Sequence, residues 1–181
     1  AVIFSQYNFN IKMYDRNADV VLGINRDKRN IKYLKNITIP EKVMATNDID
    51  EAIYDSDIIF LSVPSQAIRE ISRKIHSKLK SNSIMVCLSK GIELTTYKRL
   101  SEVLEEEFPN NPIVVLSGPS HAEEVATKQP TALVATSKNM DKAILIRDML
   151  SNDVLRIYTN SDIIGVEIGG AMKNIIALAI G

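Results

Sequence analysis

Residues 57–63 and 83–89 are almost unbroken apolar runs, the pattern of strands covered on both faces. Between them, Ala67, Ile68, Ile71, Ile75 and Leu79 recur at helical spacing, with charged residues on the opposite face. A strand, a helix and a strand over this length predict a right-handed crossover between parallel strands. The alternation continues with helix 95–108, strand 112–116, helix 120–127, strand 131–135, helix 141–150 and strand 154–158. Upstream the pattern is shorter in every element. Residues 1–6 read as the tail of a helix, 8–10 as a turn, 11–14 and 43–46 as short strands, and 18–25 and 49–54 as helices, the latter capped by Asn47 or Asp48. Residues 26–35 read as a polar connection. A last helix starts at Asn160 or Ser161 and runs to Gly181. The whole predicts an α/β fold, a doubly wound Rossmann-like parallel sheet with a helix leading out of it.

Charge narrows the partners. The 22 Lys+Arg balance 22 Asp+Glu, so no global field favours nucleic acid or an anionic membrane, and any anion must be held locally. The single cysteine, Cys87, lies inside an apolar run; it predicts a buried structural thiol, no disulfide, no metal cluster and a reducing, cytoplasmic setting. The last helix is apolar enough to suggest a membrane span, with Gly165 and Gly169 one turn apart. Glu167 and Lys173 argue against it, since charges near a bilayer centre cost about 2.5–3.5 kcal/mol each. No signal peptide is visible in residues 1–9.

Ligands of open parallel sheets bind beyond the carboxyl ends of the strands. Three such ends carry polar chemistry here: Val63-Pro-Ser-Gln66, Leu88-Ser-Lys-Gly91 and Leu116-Ser-Gly-Pro-Ser-His-Ala122. Lys90 is placed to meet an anion in the crevice. Gly118 and Ser120 stand at a helix start, where Ser120 reads as the N-cap of a capping box with Glu123. His121 reads as a lining or packing residue and His76 as solvent-exposed. Asp15 and Arg16 follow the strand 11–14, where an acid suits a ribose hydroxyl and an arginine a 2′-phosphate. Lys173 is the lone cation of the last helix. Buried there, its ammonium would lose hydration and become a useful proton donor and acceptor.

The segments VPSQAIRE, LSKGIE, LSGPSHAEEVA and GVEIGGAMKNIIALAIG, in this order, resemble the bacterial NAD(P)-dependent glycerol-3-phosphate dehydrogenases over essentially the whole chain. The resemblance implies a dinucleotide-binding domain at 1–160, with 161–181 as the first helix of a mostly absent α-helical substrate domain. It implies Lys173 as catalytic acid/base, Arg16, Lys90 and Ala122 as cofactor contacts, and Lys90, Gly118, Ser120 and Lys173 as substrate contacts. The implied cofactor is NAD or NADP. The implied partner is a phosphorylated small molecule, dihydroxyacetone phosphate or glycerol 3-phosphate, serving phospholipid synthesis, and a homodimer is left open.

The family's first strand and Gly-rich turn have no counterpart, since no G-x-G-x-x-G occurs. The chain is therefore expected to be a fragment that folds poorly and turns over little by itself. Two alternatives stand beside this reading. One is another lysine-using Rossmann dehydrogenase of a hydroxy acid or sugar acid; the other is a non-catalytic nucleotide-binding module.

Overall fold

The computed structural model describes residues 1–180; Gly181, the predicted end of the last helix, lies outside the described residues. Its largest unit is a five-stranded sheet of β5 (Ile58–Leu61), β6 (Ile84–Cys87), β7 (Ile113–Ser117), β8 (Thr131–Thr136) and β9 (Leu155–Thr159), in that spatial order. Strands β5, β6 and β7 are parallel, joined by α3 (Ile68–Ile75) and α4 (Leu100–Glu107). Every residue of β6 and β7 is buried, as their unbroken apolar runs require.

Alternate side chains of these strands enter two separate cores. Met85, Cys87, Ile113 and Val115 pack with Ile68, Ile75, Leu104 and Phe108 on one face. Ile84, Val86, Val114 and Leu116 pack on the other with Ala143, Ile146 and Leu150 of α6 (Met140–Leu150). Cys87 sits in the first core, where burial pushes its thiol up to about 12, consistent with an inert structural residue.

The parallel sheet predicted from the alternation contains one antiparallel pair. Strand β8 runs antiparallel to β7, and β9 then runs parallel to β8. The intervening helix α5 (Ala122–Ala126) has five residues, a rise of roughly 7.5 Å. That is too short to carry the chain back along a strand of about 17 Å, so the chain turns over at the carboxyl edge instead. Lys128, in the left-handed region at φ 63°, helps make that turn.

The amino-terminal part forms separate, smaller ladders. Strands β1 (Ile11–Tyr14) and β4 (Val43–Thr46) pair in parallel and pack with α1 (Ala18–Asp27) through Val20, Ile24, Val43 and Ala45. Strands β2 (Arg29–Asn30) and β3 (Leu34–Thr38) make an antiparallel hairpin that the polar composition of 26–35 concealed. Asp48 caps α2 (Ile49–Ile53), accepting from the Asp50 and Glu51 N–H groups. No ladder joins β1–β4 to the five-stranded sheet among the described residues.

Other boundaries shift. Residues 1–6 contain a single 3₁₀ turn, Phe4–Gln6. The predicted helix 95–108 begins only at Leu100, because Thr96 and Tyr97 turn the chain and Ile92 bridges Arg99. The final helix, α7 (Ile163–Ile180), starts after Asp162, whose carboxylate accepts from the Gly165 N–H at 2.8 Å. By length and composition α7 could cross a membrane, yet its Glu167 is buried against the sheet domain.

Candidate functional site

The carboxyl ends of β5, β6 and β7 and the middle of α7 converge, and the predicted residues divide between this place and the end of β1. After β6, the segment carrying Lys90 is held by the segment after β5. The Ser89 hydroxyl donates to the Val63 carbonyl. Gln66 grips from both sides, its amide N–H donating to the Ile92 carbonyl at 2.9 Å and its oxygen accepting from the Leu94 N–H at 3.0 Å. Gly91 has φ 139°, and a Cβ there would lie 2.9 Å from Ser65 Oγ, so this turn excludes other residues.

Farther along, Arg69 of α3 holds Glu93 through two hydrogen bonds of 2.8 Å. It also pairs with Glu106 and Glu107 of α4. Arg69's hydrogen bonds are the main cause holding the Glu93 carboxyl at about 2. The loop behind Lys90 is thus anchored to two helices.

Lys90 itself is half-buried, and its Nζ donates to the Gly118 carbonyl at 2.6 Å. Burial lowers its pKa first, and the nearby charge of Lys173 lowers it further. Gly118 presses against β8, since a Cβ would lie 2.7 Å from the Ala132 carbonyl oxygen. The Ser120 hydroxyl lies 3.5 Å from the same Gly118 carbonyl that Lys90 binds. Lys90, Gly118 and Ser120 therefore form one group, as the sequence predicts.

Two details are corrected. Ser120 is not the N-cap of α5; His121 occupies that position without a side-chain cap bond, because the Gly118-Pro119 turn carries the chain one residue farther before it coils. His121 is exposed, as are Ala122 and His76. Lys173 is exposed on α7 within this chain rather than buried, whereas Lys90 is half-buried and desolvated.

The approach of α7 is made by Gly170, not by Gly165 or Gly169. A Cβ at Gly170 would lie 2.8 Å from Ser117 Oγ and 3.6 Å from Lys90 Cγ, whereas one at Gly169 would meet nothing within 4 Å. Ser117, Gly170 and Gln66 are thus parts of the site to which sequence reasoning gave no role. So is Glu167, whose isolation in an apolar helix signalled that it needed a partner.

Arg16 lies apart from this group in sheet terms, exposed at the end of β1. Asp15 accepts from the Asn17 N–H at 2.8 Å, which leaves a carboxylate oxygen for a hydroxyl ligand. Arg16 faces α3: Glu70 is held below its ordinary value first by the hydrogen bond from Lys74, then by the charges of Lys74 and Arg16. No group of three metal-ligating side chains occurs among the described residues.

Parallel strands with polar loops at their carboxyl ends, a lysine pair and glycines that admit close approach define a Rossmann-type domain. The sequence profile described as NAD-dependent glycerol-3-phosphate dehydrogenase N-terminus matches residues 1–143. The chain belongs to that family. A Clostridium tetani protein named glycerol-3-phosphate dehydrogenase [NAD(P)+] is 48% identical over 180 residues, covering 99% of this chain and 52% of the relative. A Clostridium acetobutylicum protein of the same name is 50% identical over 181 residues, covering 100% of this chain and 54% of the relative. The solved glycerol-3-phosphate dehydrogenase of Coxiella burnetii superimposes with TM-score 0.92 at 29% identity, over 98% of this chain and 55% of that one. The chain thus spans about half the length of the curated relatives it matches.

Proposed function

We propose that the whole protein interconverts dihydroxyacetone phosphate and glycerol 3-phosphate with NAD or NADP, in the cytoplasm. The observation that carries this reading is Lys90 held on the Gly118 carbonyl with the charge of Lys173 close enough to lower its pKa, in a chain of this family. The bound cofactor supplies or accepts the hydride. The residues present suit it in part: Asp15 and Arg16 at the end of β1 match an adenosine ribose. No residue of this sequence supplies the Gly-rich pyrophosphate turn.

On this reading Lys173 acts as acid/base. As an ammonium it donates to the carbonyl oxygen that gains negative charge during reduction, and as an amine it accepts the hydroxyl proton in the reverse direction. Lys90 balances the substrate's anionic charge, while Gly118 and Ser120 offer backbone and hydroxyl contacts. Arg16, Lys90 and Ala122 border the cofactor. Residues 1–160 form the dinucleotide-binding domain and 161–181 begin the helical substrate domain, so α7 is a packing helix and not a membrane span.

The test is NADH and NADPH oxidation with dihydroxyacetone phosphate by the whole protein and its Lys173→Ala variant. Turnover that falls at least about 10²-fold in kcat with the fold intact supports the assignment. Turnover that survives removes Lys173 from the chemistry. Wild-type protein inactive on this substrate overturns the reading.

A further inference from the structure

Glu167 is the only acid of α7, and its two oxygens are taken by three donors from the start of α4. Oε1 accepts from the Ser101 N–H at 2.9 Å. Oε2 accepts from the Ser101 hydroxyl at 2.6 Å and from Arg99 Nη1 at 2.6 Å. Arg99 is fixed in turn: Nη1 also reaches Ser101 Oγ at 3.1 Å, Nη2 lies 3.2 Å from Glu102, and the Arg99 N–H donates to Glu102 at 2.9 Å. Side-chain exposure is 5% for Glu167 and 14% for Arg99. A carboxylate this far from water is costly unless every oxygen is satisfied, so the contact is specific in both position and direction.

At about 100° per residue, Glu167 and Gly170 lie within roughly 60° of each other on α7. The face that turns Glu167 towards α4 is therefore the face that brings Gly170 onto Ser117 and Lys90. Lys173 follows about 9 Å along the axis from Glu167 and roughly 60° round from Gly170. A modest rotation of α7 would displace its ammonium by ångströms.

We propose that Glu167 is a positioning residue: through Arg99 and Ser101 it sets the rotation of α7 and hence where Lys173 stands relative to Lys90. The consequence for turnover rests on the reading of Lys173 as acid/base; the geometric content does not.

The test uses the whole protein, with Lys90 followed by its pH-dependent reactivity towards an amine acetylating reagent, read by mass spectrometry, beside melting temperature, kcat and KM. Lys173→Met serves as reference, because removing that charge moves the Lys90 titration upward. Folded Glu167→Ala shifts the Lys90 titration and lowers kcat at least tenfold with KM changed less than threefold, and Glu167→Gln, which retains an acceptor for the Ser101 N–H, recovers part of both.

If Glu167→Ala does not fold, Ser101→Ala, which removes one donor, gives a smaller shift of the same sign. A Lys90 titration unmoved in the folded variants overturns the proposal, as does one unmoved by Lys173→Met. An inactive wild type with the Lys90 shifts present refutes the assigned reaction and leaves the positioning role standing.

Discussion

Glycines at two positions carry opposite expectations because their surroundings differ. Gly118 faces backbone: the Ala132 carbonyl oxygen and Leu133 Cα lie 2.7 and 3.1 Å from where a Cβ would stand, and backbone of a paired strand cannot step aside. Gly118→Ala is expected to cost about 1–3 kcal/mol by overpacking and to loosen the Lys90 contact. Gly169, in mid-helix with open space around it, has only the entropic cost of glycine. Gly169→Ala is expected to stabilise α7 by about 0.5–1 kcal/mol, provided that face stays uncovered in the whole protein. Urea denaturation of both variants checks the pair of signs. Equal destabilisation would mean that another part of the protein packs against Gly169.

Elements hold the site through charge as well as packing, and the loop behind Lys90 is the plainest case. The Glu93 carboxyl is held at about 2, against an ordinary 4.5, chiefly by Arg69 and also by Thr96. Because the folded value lies below the unfolded one, this contribution is complete above about pH 4.5 and is lost as pH falls through about 2. Acid unfolding of wild type should therefore steepen in that window, and Glu93→Gln should flatten it. At neutral pH, Arg69→Met leaves Glu93 facing Glu106 and Glu107 without its cation, and about 3 kcal/mol of stability is expected to go.

Legibility followed the same division between local and distant causes. The buried runs of β6 and β7, the alternately buried run of β5 and the helical periods of α3 and α6 were readable because burial on two faces, or on one, writes itself into residue order. So was the grouping of Lys90 with Gly118 and Ser120, since adjacent parallel strands end side by side. The reversal at β8 was not readable as such, although the shortness of α5 was its signal. The exposure of Lys173 and the choice of Gly170 over Gly169 depend on the rotation of α7. That rotation is set by Glu167 meeting Arg99 and Ser101 across more than sixty residues.

At the scale of the whole molecule, cohesion is uneven. The five-stranded sheet has a core on each face, with Phe108, Met85 and Leu104 fully buried on one side and Ile146, Leu150 and Val86 on the other. The β1–β4 pair has a core of only five buried apolar residues, Val20, Ile24, Ile39, Val43 and Ala45, and a two-stranded ladder has little cooperativity of its own. Local opening takes the cheapest contacts first, so this unit should open without unfolding the larger sheet. In hydrogen exchange of the 181-residue chain, amides of β6 and β7 are expected to be protected to the level of global unfolding. Those of β1 and β4 should exchange at least about a hundredfold faster, a gap of roughly 2.7 kcal/mol. In the whole protein, binding of NAD(P)H should narrow the gap measured there between the same strands if Asp15 and Arg16 take the adenosine ribose, because ligand held at the end of β1 must be released before the ladder opens. Protection that stays unchanged on binding would separate β1 from the cofactor site.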